Sequence, residues 1–174
     1  MKTLLTAIFA AFITLFAGLP AVATDSLIYE PEIDAVERRQ LECLAMNIYR
    51  EAGGKSFEGK VAVAQVTLNR LEHPKFPDDV CAVVYQKTKV FDKIVCQFSW
   101  SCDKATQARP INRSRYQESY EVAKQVLLEG FRLPELKNAL FFHAATINPG
   151  WVHRKIGEFG GNVFYEPRRH RSSK

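Results

Sequence analysis

Glu51 is the residue whose position most directly predicts chemistry. At about 100° per residue from Leu41, it lies at about 280° on a predicted helix, beside Leu44 at about 300°, on the rim of the apolar face. It also falls in the last turn, where the negative end of the helix dipole and partial burial both raise the pKa of a carboxyl. A carboxyl that stays protonated near neutral pH is suited to general acid catalysis.

Helix geometry alone leaves a simpler interpretation of Glu51 open. A carboxylate on the rim of a helix is commonly solvated, and Arg50 or Lys55 is close enough in sequence to pair with it. Enzymes that cleave glycosides usually carry a second carboxylate. No spacing selects such a partner among the nearby acids, which are Glu58, Asp78, Asp79 and Asp103.

Three predicted helices surround this position. The first covers 36–52 and ends at Gly53-Gly54, where glycine accepts a left-handed cap. Ser56 caps a second helix, which is apolar on nearly all sides over 61–68 and is therefore expected in the middle of the core. A shorter helix follows Asp78-Asp79 and extends to about residue 85.

The second half of the chain predicts one more helix and several short strands. Ser114 and Gln117 form a capping box for an amphipathic helix that Gly130 ends. The aromatic segment 96–102 predicts a strand or hairpin closed by its own cysteines. Two further aromatic runs, 138–143 and 162–165, are expected to pair as strands across a loop around 148–151.

Length, composition and the first residues set the domain organisation. The chain has 174 residues, 47% of them hydrophobic and 25% charged, with a formal charge of +5, which fits one ordinary globular domain. Residues 1–23 read as a secretory signal peptide, with an uncleaved membrane anchor as the alternative. We expect a loose lead-in at 24–35, the domain at 36–167 and a solvated basic tail at 168–174. The predicted location is therefore outside the cytoplasm, in the periplasm, the cell wall or the medium, with no membrane span after signal cleavage.

Four cysteines lie in the part expected to be exported, and an oxidising compartment favours disulfides between them. Of the three possible pairings, we favour Cys96 with Cys102, which flank a short segment, and Cys43 with Cys81, which connect two predicted helices. A zinc site is the alternative, but no pair of cysteines has the usual ligand spacing, and His143 and His153 do not supply it. We therefore expect neither a metal nor another cofactor.

Several blocks of the sequence, in a consistent order, carry a resemblance that covers about 41–166. They are Cys43-Leu-Ala-Met-Asn-Ile-Tyr-Arg-Glu51-Ala52, Glu58-Gly-Lys-Val-Ala-Val-Ala-Gln-Val-Thr-Leu-Asn-Arg70 with Phe76-Pro77, Cys81 to Gln86, Cys96-Gln-Phe-Ser-Trp100, and Phe142-His143 to Phe164-Tyr165. In these blocks the chain resembles the cell wall hydrolase family that includes the spore cortex-lytic enzymes. The resemblance implies a small α+β domain that is mainly α with a small β hairpin region, lysozyme-like or lytic transglycosylase-like in fold.

The resemblance also implies an activity and site residues. Its members cleave the glycan strands of peptidoglycan, commonly as lytic transglycosylases, and the proposed catalytic acid corresponds to Glu51. By the same resemblance, Gln97, Phe98 and Ser99 are expected in the wall of the cleft. The expected reaction is protonation of the bond between N-acetylmuramic acid and N-acetylglucosamine by Glu51, which then accepts the proton of the attacking muramic C6 hydroxyl.

Other side chains are candidates for binding the sugar chain. Aromatic rings offer an apolar face to a sugar, although core packing is the more common role of each ring taken singly. Gln97, Ser99 and His143 are candidates for hydrogen bonds to acetamido or hydroxyl groups, and His143 is equally well explained as a core histidine. Asp103 is expected to accept backbone N–H groups rather than to bind substrate. The aromatic candidates are Tyr49, Phe98, Trp100, Trp151 and Tyr165.

The sequence leaves several alternatives to peptidoglycan transglycosylation open. Hydrolysis by a muramidase or glucosaminidase is the nearest alternative, and cleavage of peptidoglycan amides usually needs zinc or a Cys/His pair that the chain does not clearly offer. A non-catalytic module that binds anionic envelope polymers fits the basic charge. Nucleic acid is not an expected partner, because of the export signal and because basic and aromatic residues are not interleaved. We expect a monomer.

Overall fold

The computed structural model describes residues 33–168, so the expected signal peptide, nearly all of the lead-in and most of the basic tail lie outside the described residues. Within this range, no helix has both the length and the apolar character needed to cross a membrane. In residues 33–168, five α-helices and five strands make an α+β fold, as predicted. The helices are α1 (Ala35–Ala52), α2 (Phe57–Leu71), α3 (Val80–Val84), α4 (Lys104–Gln107) and α5 (Arg113–Leu127), and the strands are β1 (Lys87–Val90), β2 (Lys93–Cys96), β3 (Phe141–Ala144), β4 (Arg154–Phe159) and β5 (Asn162–Glu166).

Short polar side chains fix where the first helices begin. The Asp34 carboxylate accepts the backbone N–H groups of residues 36 and 37 at 2.7 and 2.8 Å, and the Ser56 hydroxyl accepts that of Gly59 at 3.3 Å. The C-terminal cap of α1 differs from the prediction. Gly53 is right-handed, with φ −60°, and its N–H donates to the Tyr49 carbonyl, so the helical backbone continues for one residue where a left-handed cap was expected.

The start of α5 also differs from the prediction. Asn112, not Ser114, is the N-cap, and its side chain accepts the N–H of Arg115 at 3.0 Å. Asparagine caps a helix as serine does, by accepting a backbone N–H of the first turn, so the helix begins two residues earlier than predicted. The helix ends at Leu127, and Gly130 takes a left-handed φ of 74° in the turn that follows.

The strands form two separate antiparallel sheets, β1–β2 and β3–β5–β4. The expected pairing of the two aromatic runs is present, with Phe142 opposite Phe164. The predicted hairpin at 96–102 is wrong in position: the hairpin is 87–96, and the next residues form a 3₁₀ turn at Ser99–Ser101. Strand β4 was not predicted, because its polar sequence gives no clear alternation of apolar and polar residues.

Helix α2 lies at the centre of the core, as its apolar sequence predicts. Eleven of its fifteen residues are buried, and it packs against α1, α3 and α5. Two buried clusters meet on it, one shared with α1 and α5 and the other with Leu136, Ala139 and Phe164. The central helix of the hydrophobic core is therefore α2, the helix that follows Glu51 in the chain.

Polar side chains of α2 hold the segment 133–140 against the helix. Gln65 donates to the carbonyl of Leu133 at 3.0 Å and accepts its N–H at 2.7 Å. Asn69 donates to the carbonyls of Leu136 and Ala139, both at 2.8 Å. Because buried polar groups need such partners, these bonds fix the path that leads into β3.

The turn between β4 and β5 comes into backbone contact with α2. Gly160 and Gly161 have φ values of 57° and 77°, as a tight two-residue hairpin turn requires. A Cβ placed on Gly59 would lie 2.8 Å from the Cα of Gly160, and one placed on Gly160 would lie 2.6 Å from the Cα of Gly59. The second sheet therefore packs on α2 through glycine backbone.

Two disulfides join the cysteines in the pairing that the spacing favours. Cys43–Cys81 connects α1 to α3 over a separation of 38 residues. Cys96–Cys102 connects the end of β2 to the residue after the 3₁₀ turn. No free cysteine is found in the part of the chain that the structure describes.

Candidate active site

A cleft of about 690 Å³ lies beside the end of α1. The residues that line it come from three groups of elements, here called its walls: first, α1, α2 and the turn between them; second, β1, β2 and the 3₁₀ turn; third, β3, β5 and the loop 145–153. The lining includes Glu51, Lys55, Arg70, Thr88, Val95, Gln97, Phe98, Ser99, His143, Ile147, Trp151 and Asn162. The structure therefore brings most of the predicted site residues to one cavity.

Glu51 is the acidic residue of this cleft. It is partly buried, and desolvation raises its pKa from 4.5 to about 7, while the charge of Arg70 acts in the opposite direction. Its carboxyl forms no ion pair with Arg50 or Lys55, and the Arg50 guanidinium instead donates to the carbonyls of Thr106 and Gln107. Glu51 is thus a desolvated acid that can hold its proton near neutral pH.

Arg70 is a site residue that the sequence reasoning did not identify as such. Only 3% of it is exposed, and its Nε donates to the carbonyl of Leu140 at 2.9 Å. Desolvation lowers its pKa to about 10, and the charge of Glu51 acts against this shift. A charged residue on a helix that is apolar on nearly all sides was a signal that could have revealed it, because such a side chain is seldom buried without a partner.

Arg70 also contacts the second wall of the cleft. With the Gln97 amide oxygen facing it, Arg70 donates to that oxygen from Nη1 at 3.3 Å and from Nη2 at 3.1 Å. The guanidinium carbon lies 5.0 Å from the centre of the Phe98 ring, within range of a cation–π contact. The orientation of Gln97 in the cleft is therefore set by the same cation that acts on Glu51.

The other predicted residues of this wall have different surroundings. Phe98 is buried, and its ring belongs to the core cluster as well as to the cleft. Ser99 is exposed and lines the cleft at the start of the 3₁₀ turn. Trp100 does not line the cleft, because its indole N–H donates to the buried Asn47 at 2.9 Å.

His143, Trp151 and Tyr165 form an aromatic cluster on the third wall. His143 Nδ1 lies 2.8 Å from the carbonyl of Ala144, so this nitrogen carries the proton, and Nε2 accepts the Tyr165 hydroxyl at 2.9 Å. The Trp151 ring lies 5.3 Å from that of His143 and remains 42% exposed. His143 and Trp151 line the cleft, whereas Tyr165 lies behind His143 and holds it.

Tyr49 is not brought into the cleft, although it was predicted as a sugar-binding residue. Its hydroxyl accepts the backbone N–H of Asn112 at 2.9 Å, and its ring contacts that of Tyr116 edge to face. It therefore fixes the start of α5 against α1. Helical geometry explains this correction, because Tyr49 and Glu51 are about 200° apart around α1.

No second carboxylate lines the cleft among residues 33–168. Asp79 and Asp103 are used as N-caps of α3 and α4, and Asp103 accepts the N–H of residue 105, as predicted. Glu58 and Asp78 do not line the cleft either. Within the described residues, no group of three or more His, Cys, Asp or Glu side chains is arranged to hold a metal ion.

Comparison with known proteins identifies the family. Residues 54–165, well over half of the chain, match the family described as Cell Wall Hydrolase. The chain belongs to this family. Glu51 lies three residues before the matched segment, at the end of the helix that precedes it.

Relatives and solved structures of this family agree with the match. The chain is 46% identical over 131 residues to the spore cortex-lytic enzyme of Halalkalibacterium halodurans and 27% identical over 133 residues to that of Bacillus subtilis. These alignments cover 71% and 72% of the chain but only 34% and 37% of the relatives, so the chain spans about a third of their length.

Solved structures share the fold. The catalytic domain of SleB from Bacillus cereus aligns with a TM-score of 0.54 at 20% identity, over 74% of this chain and 91% of that one. The SleB catalytic domain from Bacillus anthracis aligns with a TM-score of 0.53 at 22% identity, over 74% and 95%. The fold is therefore that of the SleB catalytic domains, in agreement with the family resemblance of the sequence.

Proposed function

We propose that this protein cleaves the glycan strands of peptidoglycan between N-acetylmuramic acid and N-acetylglucosamine, as a lytic transglycosylase that uses Glu51 as its acid and then its base. The observation that carries the proposal is the raised pKa of Glu51, about 7, in a cleft large enough for sugar units. The cell wall hydrolase family supports the same substrate class. The predicted export signal also supports the proposal, because export would bring the protein to the compartment that contains peptidoglycan.

The first step uses the protonated form of Glu51. The carboxyl donates its proton to the glycosidic oxygen as the bond from that oxygen to the muramic C1 breaks, so the N-acetylglucosamine fragment leaves with a hydroxyl. General acid catalysis of this kind accelerates reactions by about 10²- to 10⁴-fold. Desolvation of Glu51 is what keeps the proton in place until the substrate arrives.

The second step uses the carboxylate that remains. The muramic C6 hydroxyl attacks C1, a new C6–O–C1 bond forms, and Glu51 takes the proton of that hydroxyl, which returns the enzyme to its starting state. Because the nucleophile belongs to the substrate, the reaction needs no second carboxylate, in agreement with the lining of the cleft over residues 33–168. The product ends in a 1,6-anhydro ring.

Arg70 stabilises the charge that develops between these steps. Glu51 becomes anionic when it gives up its proton, and the buried guanidinium is held near it by its bond to the carbonyl of Leu140. A fixed cation in a poorly solvated wall is more effective than the same cation in water. Arg70 thereby limits the rise in the pKa of Glu51 and favours the proton transfer.

The third wall supplies the binding surface for the sugars. Trp151 offers a partly exposed ring, and the ring of His143 is fixed beside it by Tyr165. Both nitrogens of His143 are occupied by bonds within the protein, so we assign it a binding role and no acid–base role. We assign Gln97 and Ser99, which line the same cleft, hydrogen bonds to acetamido or hydroxyl groups.

Product analysis tests this proposal. Purified sacculi are digested with the protein and the released fragments are analysed by mass spectrometry before and after borohydride reduction. We expect fragments lighter by one water than hydrolytic products and resistant to reduction. Reducible fragments would replace the transglycosylase assignment with a muramidase or a glucosaminidase, and binding without any release would favour the non-catalytic envelope module.

A further inference from the structure

The β1–β2 hairpin carries a large exposed apolar surface outside the catalytic cleft. All residues of both strands except Cys96 are exposed. Ile94 is 60% exposed, Val90 is 45% exposed, and Phe91 at the tip is 91% exposed. Apolar residues gathered at one protrusion of a soluble domain mark an interaction site more often than scattered ones do.

Phe91 is also held in an unfavourable backbone conformation. Its φ is 53°, and it is the single residue other than glycine with a positive φ in the part of the chain that the structure describes. Glycine or asparagine adopts this conformation more readily than a bulky side chain does. The turn therefore presents an aromatic ring to the solvent where its own geometry favours a small or polar residue.

The hairpin is cationic as well as apolar. Lys87, Lys89 and Lys93 lie on its strands, and Asp92 is its one acid, so residues 87–96 carry three positive charges and one negative charge, a net +2. In the strand register Lys89 faces Ile94 and Lys93 faces Val90. Each exposed aliphatic side chain near the tip is thus next to an ammonium group.

We propose that the tip of this hairpin docks on an anionic lipid bilayer, with Phe91 in the headgroup boundary and Lys89 and Lys93, the two lysines nearest the tip, at the phosphates. Amphipathic elements bind membrane surfaces through apolar burial combined with cationic attraction to anionic lipids. The hairpin cannot enter more deeply, because the open edges of a two-stranded sheet would leave backbone groups without partners in hydrocarbon.

The shape and chemistry of the tip favour a bilayer over other partners. A sugar chain stacks on an aromatic ring such as Phe91, but it gives no burial to the aliphatic side chains of Val90 and Ile94 beside that ring. A protein partner adding a strand would have to pair along edges that carry the lysines, which oppose such pairing. A convex apolar tip with flanking cations is complementary to a headgroup layer.

Docking at the tip would orient the cleft relative to the membrane. Thr88 and Val95, near the other end of the hairpin, line the cleft that contains Glu51. Three residues along each strand, at about 3.3 Å each, separate the tip from these two residues by about 10 Å. The protein would then act on the layer of wall nearest the membrane. This consequence rests on the proposed function, whereas the lipid binding itself does not.

Vesicle co-sedimentation tests the docking. The oxidised protein is mixed with vesicles of phosphatidylcholine alone, or of phosphatidylcholine with phosphatidylglycerol, at low and high salt. We expect binding to the anionic vesicles that weakens as salt rises. Phe91→Asn should weaken this binding by about tenfold or more, and it should fold well because asparagine suits the left-handed turn. Replacing Lys87, Lys89 and Lys93 together with glutamine should remove the salt dependence.

The matched control is Val152→Asn, which removes an apolar side chain of 73% exposure from a loop outside the hairpin and should leave vesicle binding unchanged. Three results would overturn the proposal. They are no sedimentation of the wild type with anionic vesicles, binding of Phe91→Asn to these vesicles as tight as that of the wild type, or a Phe91→Asn variant that loses binding to sacculi but not to vesicles. Cleavage of soluble glycan oligomers by Phe91→Asn should equal that of wild type. A wild-type protein that binds vesicles but cleaves nothing would contradict the proposed function and leave the docking intact.

Discussion

Glu51 on α1 and Arg70 on α2 line the same cleft and have side chains of opposite charge. The pKa of Glu51 is nevertheless raised and that of Arg70 is lowered, so both shifts favour the neutral form of the group. Burial is the larger influence on both groups, and their mutual attraction only reduces the shifts. The pair therefore differs from a surface salt bridge, in which both groups remain fully charged. It leaves Glu51 near the middle of its titration at neutral pH, which suits a group that must first donate and then accept a proton.

Glu51→Gln should change the pH dependence of stability. Below pH 4.5 the carboxyl is protonated in both the folded and the unfolded chain, so its ionisation does not change the free energy of unfolding. As the pH rises from 4.5 to about 7, only the unfolded chain ionises freely, and the wild type loses up to about 3 kcal/mol of unfolding free energy. Glutamine removes this loss, so the variant should gain stability relative to wild type across that window.

Denaturant unfolding at pH 4 and pH 8 measures the difference. Glu42→Gln is the matched control, because Glu42 lies on the same helix and is exposed. A stability gap between Glu51→Gln and wild type that does not change with pH would show that Glu51 ionises normally in the folded protein.

Removing the charge of Arg70 should move the alkaline limb of the pH–activity profile to higher pH. The acid step needs protonated Glu51, so the rate should fall above about pH 7. Because the Arg70 charge lowers the pKa of Glu51, Arg70→Gln should shift the midpoint upward by about one unit, and Arg70→Lys should restore it toward wild type.

The pH profile of glycan release measures this shift independently of how much of the variant is folded. A lower rate with an unchanged midpoint in Arg70→Gln would show that the arginine only supports the structure.

The elements that the sequence predicts best are those with a strong local signal. The buried character of α2 and its serine cap follow from residue type alone, and so does the pairing of the strands that contain Phe142 and Phe164. The hairpin at 87–96 was missed because its strands are exposed on both faces, and burial on one face is what produces a recognisable alternation.

Gly59→Ala should destabilise the fold. The new Cβ would lie 2.8 Å from the Cα of Gly160, so either α2 or the β4–β5 turn must move, at a cost of about 1–3 kcal/mol that outweighs the better helix propensity of alanine. Gly54→Ala is the control, because its Cβ would meet no atom within 4 Å. Thermal unfolding compares the two, and equal stabilities would mean that the glycine contact is not tight in solution.

Removing the disulfide between α1 and α3 should lower stability without changing the chemistry. The bond closes a loop of 38 residues, for which chain entropy predicts a contribution of about 4 kcal/mol. A Cys43→Ser, Cys81→Ser double variant should therefore unfold at lower denaturant concentration while keeping the pH profile of wild type. A changed profile would connect this disulfide to the cleft.

The candidate active site was predictable in part. Glu51 follows from helical phase and from the resemblance, whereas the relation of Gln97 to Arg70 depends on two segments that meet only in the folded chain. Tyr49 was predicted wrongly. It lies two residues from Glu51 and was expected in the cleft, but its hydroxyl instead fixes the start of α5. Proximity in sequence does not place two side chains on the same face of a helix.

The most direct test of the account is the release of muropeptides from sacculi by the wild type, by Glu51→Gln and by the helix-matched control Glu42→Gln, measured at neutral pH on equal amounts of folded protein. We predict that Glu42→Gln releases fragments at the wild-type rate and that Glu51→Gln releases none above background. Normal release by Glu51→Gln would contradict the assignment of Glu51 as the proton donor.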